Sequence, residues 1–486
     1  MPDDDAIQLC EQPQKIVAPA LFAALTFLPM QYFDTLTNEM VEFVPREAGK
    51  VSIYACGPTV YDVPHLGHAR TALTYDVIAR FLRWRGFEVT MVANITDIDD
   101  KIIQRAAEEG TTETAIVETY TKAYIDQMDR LNIQHPEHRP RATEYVDEMQ
   151  DVIQQLIDRD HAYVIDGQGV YFDVASFEDG YGKLVHRTAE DLREGAGARV
   201  EVDERKKDPL DFALWKAAKP GEPIWPSPWG DGRPGWHIEC VAMALDILGD
   251  GFDLHGGGTD LAFPHHENER SESEAAGHPF ARGWIHSAML NIGGEKMSKS
   301  LNNFKTLGDV LDMWDPRALR LAMLQTHYRK VMELGDEAMQ GATAALDRLD
   351  AFKRRTSVLG LDTDAPLRAD EVTSFTEAME HDFGAPAAVA TIFELVRAGH
   401  TAVDNDDLVA ASSIAATIDE LTNVLGLVTG AANGGDDDSE IDDLVAQRQA
   451  ARDSKDFAES DRLRDELNAR SIEVEDTAAG PIWRRV

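Results

Sequence analysis

A chain of 486 residues is too long for a single hydrophobic core and implies three or four domains. Its 87 acidic residues against 47 lysines and arginines leave a net charge of -40, which on its own argues against holding a polyanion by bulk electrostatics. Three cysteines (Cys10, Cys56 and Cys240) are too few for a disulfide framework, and no apolar run reaches the roughly 18–20 residues that span a bilayer.

The acidity runs through the whole chain, as in a protein adapted to a cytoplasm with molar salt, where the Debye length falls to about 3 Å at 1 M and surface repulsion costs little. Residues 16–28 are apolar, but they follow Asp3, Asp4 and Asp5 rather than the positive start of a signal peptide, so the chain reads as cytoplasmic. Residues 1–29 form an extension with no partner element and are expected to be disordered. From Val51 the run VSIYAC is a buried strand closed by Gly57-Pro58, and a helix is expected after His68 with Leu73, Val77, Ile78 and Phe81 on one face. The apolar strand VTMVAN follows. Strand, helix and strand at this spacing form a βαβ unit, so the expected fold is α/β, a Rossmann-like doubly wound parallel sheet with its ligands at the carboxyl ends of the strands.

The αβ rhythm breaks between Arg139 and Trp215, which reads as a connective insertion, and resumes in the strand-like FDLHGGG and the helix after Pro264. From about Asp315 the pattern turns helical, with Met339, Ala342, Leu346 and Leu349 stepping by three and four. The expected division is therefore 30–138 with 216–290 for the sheet domain, 139–215 for the insertion, 291–335 for a connecting region and 336–429 for a helical bundle. An acidic, Gly-rich linker covers 430–443, and 444–486 is a small terminal unit.

His265 and Glu269 lie four apart after Pro264, so a helix there would point both off one face. With Cys56 at the end of the first strand and Cys240 in GWHIEC they make two thiolates, an imidazole and a carboxylate, a set that suits one tetrahedral zinc ion. His266 is the competing imidazole. His65 and His68, with Gly67 between them, join the first strand to its helix, where phosphates meet a helix N-terminus. Lys296 and Lys299 follow Gly293-Gly294 and form a mobile cation clamp for a triphosphate. In HGGGTD, Gly257 leaves room for a base and ribose while Asp260 can accept from hydroxyls.

HLGH (65–68) and KMSKS (296–300) resemble the signatures of the class I aminoacyl-tRNA synthetases. Together with YACGPTVYD (54–62), NITDIDDKI (94–102), GRPGWHIEC (232–240) and DLHGGGTDLAFPHHENE (253–269), they resemble the cysteinyl-tRNA synthetases specifically. The resemblance runs from about Met30 to the C-terminus, and family members would begin near Met30. It implies that Cys56, Cys240, His265 and Glu269 bind zinc, which takes the thiolate of L-cysteine as an added ligand and so separates it from serine without editing. It places Thr96, Trp236 and His255 near the substrate, with Thr96 and Trp236 as pocket walls. It also sets His65, His68, Lys296 and Lys299 on the phosphates of ATP and its Mg²⁺.

At the C-terminus, ARDSKDFAESDRLRDEL and IEVEDTAAGPIWRR resemble the family's anticodon-binding domain. Arg452, Asp461 and Asp476 match positions expected to contact anticodon bases, and Phe457 stands where an aromatic or tryptophan is usual. Bases read by stacking and edge hydrogen bonds tolerate carboxylates, which removes the objection that net charge raised against tRNA(Cys) as a partner. The implied enzyme is a monomer. A ligase that joins cysteine to an aminosugar would share the head but has no use for residues 440–486, and a retired, non-catalytic relative has no need of HLGH, KMSKS and the zinc set.

Overall fold

The computed structural model describes residues 29–196, 205–292, 295–296, 306–362, 364–429, 436–470, 472–477 and 480–485. The extension expected over 1–29 thus lies outside the described residues except for Pro29.

A short hairpin of β1 (Gln31–Asp34) and β2 (Glu39–Glu42) precedes the sheet domain. That domain is built on β3 (Lys50–Ala55), β4 (Glu88–Ala93), β9 (Leu254–Gly258) and β10 (Gly283–Ser287), in the order β10-β9-β3-β4 and parallel throughout. The intervening strands β5 (Ala162–Ile165), β6 (Gly169–Phe172), β7 (Phe212–Ala217) and β8 (Gly232–Pro234) form a separate antiparallel sheet. This inserted sheet therefore continues past Trp215, where the sequence suggested an end, up to Pro234.

β3 is buried at every position after Lys50, which is why its sequence runs apolar rather than alternating. One core holds Val51, Ile53, Ala55 and helix α1 (Leu66–Trp84) on one side of the sheet; a second holds Tyr54, Val92 and helix α2 (Trp236–Leu248) on the other. Helices on both faces of a parallel sheet make the doubly wound α/β layer. The chain steps from β3 outward to β4 and then returns to the other side of β3 with β9, so the strand order reverses between β3 and β9. The crevice at their carboxyl ends is where such sheets bind ligands.

α1 starts at Leu66, before His68 rather than after it. His65 replaces the usual Ser or Asp cap: His68 N donates to His65 Nδ1 at 3.3 Å, and His65 N donates to His68 Nδ1 at 3.2 Å. α2 begins at Trp236, so Cys240 lies in its second turn. His265 sits in a single π-type turn (Ala262–His266) that leads into α3 (Glu267–Ala276).

Downstream, helices α4 (Asp336–Val358), α5 (Ala369–Glu380), α6 (Ala385–Asp404) and α7 (Leu408–Val424) share the first core with the sheet domain. The terminal unit has its own small core of Ile441, Leu444, Val445, Leu463, Leu467, Ile472 and Trp483, built by helices α8 (Asp436–Asp453) and α9 (Phe457–Ala469) and the hairpin β14 (Ile472–Thr477) and β15 (Gly480–Arg485).

Candidate active site

Four side chains from three parts of the chain converge beyond the carboxyl end of β3. Cys56 follows β3 and is fixed there by its N–H, which donates to Gly256 O at 2.9 Å. Its Sγ lies 3.7 Å from Cys240 Sγ and 3.5 Å from Glu269 Oε1. His265 Nε2 is 3.7 Å from Cys240 Sγ and 2.8 Å from Glu269 Oε1. All four donor atoms lie within 4.8 Å of one another and are buried.

A tetrahedral zinc with Zn–S bonds of about 2.3 Å holds two thiolates about 3.8 Å apart, and the two sulfurs stand at 3.7 Å. The charges also fit a dication. Burial, the Cys240 sulfur and Glu269 push the Cys56 thiol well up, whereas the hydrogen bond from Cys56 draws the Cys240 thiol down to about 6. Burial alone would lower His265, yet Glu269 and Cys240 raise it to about 10. The protonation of each of the four donors thus depends on the others, and two thiols, an imidazole and a carboxylate form a donor set whose chemistry fits zinc.

A second set, Cys56, His255, His266 and Glu269, also lies within 4.8 Å. The two imidazoles differ at Nε2, which in His265 meets Cys240 and Glu269 and in His266 is buried without a hydrogen-bond partner among the described residues. His265 turns Nε2 toward Cys240 and Glu269, and its Nδ1 shares a hydrogen bond with His237 Nδ1 at 2.8 Å, the kind of outer partner that orients a ligating histidine. His266 Nδ1 is taken up by His286 Nε2 at 2.8 Å. His255 is engaged on both sides, by Tyr54 O at 3.0 Å and by the other Glu269 oxygen at 2.7 Å, and so braces the carboxylate. Only the set with Cys240 brings two sulfurs together.

Next to this cluster lies a cleft of about 480 Å³ lined by Cys56, Gly57, His65, Gly67, His68, Trp236, Gly258 and Asp260, among others. The His65 and His68 rings stack with centroids 3.8 Å apart. Burial, and after it the neighbouring His65, takes His68 down to about 3, so at neutral pH it is a hydrogen-bonding group without charge. A Cβ on Gly67 would sit 2.9 Å from the His65 ring, which explains the glycine between them. Leu307 N donates to Pro64 O at 3.0 Å, tying the chain just after KMSKS to HLGH. Lys296 is placed by its backbone, opposite Asn291 in the pair β11 (Leu290–Ile292) and β12 (Glu295–Lys296); Lys299 lies outside the described residues.

Trp236 stacks on His265 with centroids 4.1 Å apart and lines the cleft beside the sulfur cluster, whose Cys56 also reaches it. Two other expected residues stand behind the surface. Thr96 is buried, and its hydroxyl donates to Glu239 Oε2 at 3.1 Å, so it braces the helix that carries Cys240 instead of lining the cleft. Gly257 is buried too, a Cβ there facing Leu261 Cδ1 at 2.8 Å, and Gly258 is the glycine at the cleft with Asp260. His237 and Glu239, inside GWHIEC, carry no expectation from the sequence; the i,i+3 spacing of His237 from Cys240 was an available signal, whereas Glu239, directly before Cys240, offered none. In the terminal unit, Arg452 stands in the last turn of α8, exposed Asp461 on α9, and Asp476 on β14 opposite Pro481. Phe457 opens α9 at 66% exposure, one helical turn before Asp461.

Comparison with known proteins matches residues 42–344 to the tRNA synthetases class I (C) catalytic domain, 374–429 to the DALR domain and 435–484 to the cysteinyl-tRNA ligase anticodon binding domain. The chain is 49% identical to a cysteine–tRNA ligase of Halorhodospira halophila, over 94% of this chain and 99% of the relative. It is 47% identical to a cysteine–tRNA ligase of Pseudomonas fluorescens, over 93% and 98%. Among solved structures, a Mycobacterium tuberculosis methionyl-tRNA synthetase in complex with methionyl-adenylate shares the fold at a TM-score of 0.57 and 15% identity, over 77% of this chain and 89% of that one. The coverage is nearly complete and the identity far above the level of shared fold alone: the chain belongs to the cysteine–tRNA ligase family.

Proposed function

We propose that this protein activates L-cysteine with ATP to cysteinyl-adenylate and transfers the cysteine to the 3′-terminal adenosine of tRNA(Cys). The observation that carries the reading is the pair of sulfurs, Cys56 and Cys240, set at a zinc-like separation and completed by His265 and Glu269, beside a cleft capped by HLGH. Zinc held by these four would supply a sulfur-preferring Lewis acid at the base of the amino-acid pocket, a preference that a hydrophobic pocket cannot provide between cysteine and serine.

The protein's own groups do the rest. Trp236 closes the amino-acid side, and Asp260 beside Gly258 receives the ribose hydroxyls. His68, being neutral, donates or accepts a hydrogen bond at the phosphates, and Lys296 and Lys299 supply charge as the substrate carboxylate displaces pyrophosphate in line. No covalent enzyme intermediate is needed, since catalysis rests on positioning and electrostatics. The terminal unit reads the anticodon through Phe457 stacking and edge contacts from Arg452, Asp461 and Asp476, a mode that does not depend on bulk charge. Residues 30–138 with 216–290, less the stretch up to Pro234 that belongs to the inserted sheet, serve as the sheet domain, and 336–429 as the bundle.

Cysteine-dependent ATP–pyrophosphate exchange in molar KCl, with serine as control and with and without a chelator, tests this. Exchange with cysteine alone, lost on chelation, is the expected result. Equal exchange with serine would refute the sulfur-selection argument, and no exchange from folded, zinc-loaded protein would refute the activity.

A further inference from the structure

His68 of HLGH brings no charge to the phosphates at working pH, because burial and His65 hold its pKa down at about 3. Among the described residues that line the cleft, only Lys101 and Arg139 carry a permanent positive charge. Lys101 is exposed and lies over the Tyr61 ring at 5.1 Å. Arg139 differs. In a protein with 87 acidic residues, its guanidinium makes no ion pair and no hydrogen bond with the described residues, and its Nη1 is enclosed without a partner. Arg139 is only half-buried and reaches the cleft, but an enclosed N–H donor left without an acceptor there is costly unless a ligand supplies one.

Its position is set by the sheet. The segment around it runs parallel to the end of β4: His138 N donates to Met91 O and Ala93 N to His138 O, both at 3.1 Å, and Ile95 N donates to Pro140 O at 2.9 Å. Backbone bonds on either side of Arg139 thus hold it at the carboxyl end of the sheet. The guanidinium lies near Tyr124: burial raises that phenol's pKa, and the charge of Arg139 opposes the rise. Tyr124 stands edge-on to His68 with centroids 6.4 Å apart, which places Arg139 on the HLGH side of the cleft.

We propose that Arg139 is a phosphate-binding residue that takes the phosphate chain of the nucleotide. The inference rests on the ATP-dependent reading above and adds a cation that neither HLGH nor KMSKS supplies. Arginine suits the task because its fork donates two bonds to phosphate oxygens in one plane.

The test is calorimetric binding of ATP and of adenosine to the full chain, comparing the native protein with Arg139→Gln and Arg139→Lys, each checked for an unchanged melting temperature. Arg139→Gln is expected to weaken ATP about tenfold or more while adenosine stays within about twofold, and Arg139→Lys to restore part of the loss. Parallel loss of ATP and adenosine, or unchanged ATP binding, overturns the proposal; in the latter case a raised KM for tRNA(Cys) alone would move Arg139 to the RNA. Binding does not require turnover. Native protein that binds ATP yet exchanges no pyrophosphate would therefore defeat the proposed activity and leave the Arg139 comparison intact.

Discussion

Asp76 on α1 and Arg320, in the helix Pro316–Leu324, form an ion pair in which neither side chain is more than 2% exposed. Arg80 joins the same carboxylate at 2.9 Å, and Gln134 N donates to it at 2.9 Å. Arg320 also donates to Leu425 O at 2.8 Å and Leu131 O at 2.8 Å, so one buried network pins the helix that begins at HLGH to the chain end of the bundle.

Asp76→Asn leaves two buried guanidiniums without their counter-charge, and a stability loss of about 3–5 kcal/mol is expected in chemical denaturation. Burial by itself would raise this carboxyl, but Arg320 and Arg80 outweigh it and hold it below the ordinary range. The folded pKa is depressed, so the stabilisation is present above the unfolded value near 3.8 and is lost as pH falls through the folded one. The stability gap between native and variant proteins should therefore be flat from pH 5 to 7 and narrow only in strong acid. A gap that grew on acidification would contradict the assignment.

Two glycines of one strand, β9, should behave differently. A Cβ on Gly256 would stand 1.8 Å from Ile285 O and 2.2 Å from Tyr75 Oη, both fixed inside the sheet layer. Gly256→Ala should cost several kcal/mol or prevent folding, as overpacking against backbone does. At Gly258 the nearest obstacle is the Asp260 carboxylate at 2.4 Å, a side chain that can turn away. Gly258→Ala should melt within a few degrees of the native protein, and its KM for ATP should rise as Asp260 is displaced. Equal melting temperatures for the two variants would show that the sheet tolerates a side chain at Gly256.

How much of this was legible in the sequence follows from the range of each signal. The βαβ layer was readable because β3 and β4 are apolar runs and α1 has one apolar face. The start of α1 was misplaced because a histidine pair performs the capping normally left to Ser, Thr or Asp. Spacing allowed His265 and His266 equally, since i,i+4 and i,i+3 both share a helix face with Glu269; in the fold each has a histidine on Nδ1, and the difference is that only His265 turns Nε2 to Cys240. Thr96 lies just past the end of β4 and Gly257 in β9, but which of their neighbours face the cleft is set by long-range contacts, Glu239 of α2 for one and Leu261 and His266 for the other. Arg139 carries no pattern at all, because its significance lies in the partners it lacks after folding.

Removing the zinc proposed for the Cys56, Cys240, His265 and Glu269 set should affect fold and selectivity together. With zinc bound only to the folded state, the linkage free energy is lost on chelation, so the melting temperature should fall and the loss should reverse on readdition. Cys240→Ser keeps nearly the same shape but replaces a thiolate with a poor zinc ligand. It should lower the zinc content measured by atomic absorption below one per chain and abolish the cysteine-over-serine preference. Full zinc occupancy in Cys240→Ser would favour the alternative donor set with His255 and His266.

The neutral state of His68 gives a pH signature of its own. Burial, aided by His65, brings its pKa from an ordinary 6.5 to about 3, so the folded protein binds fewer protons than the unfolded chain between those values. Stability from this group is therefore present above pH 6.5 and lost progressively as pH falls toward 3. In His68→Gln, which keeps a hydrogen-bonding side chain without a titrating ring, that part of the acid slope should vanish. Melting temperatures of the two proteins measured from pH 7.5 to pH 4.5 should then converge, or cross, on the acid side. The same neutrality means that pyrophosphate exchange should show no inflection near pH 6.5 that His68→Gln removes. An inflection there, abolished by the substitution, would show that His68 titrates at its ordinary value and works as a cation at the phosphates.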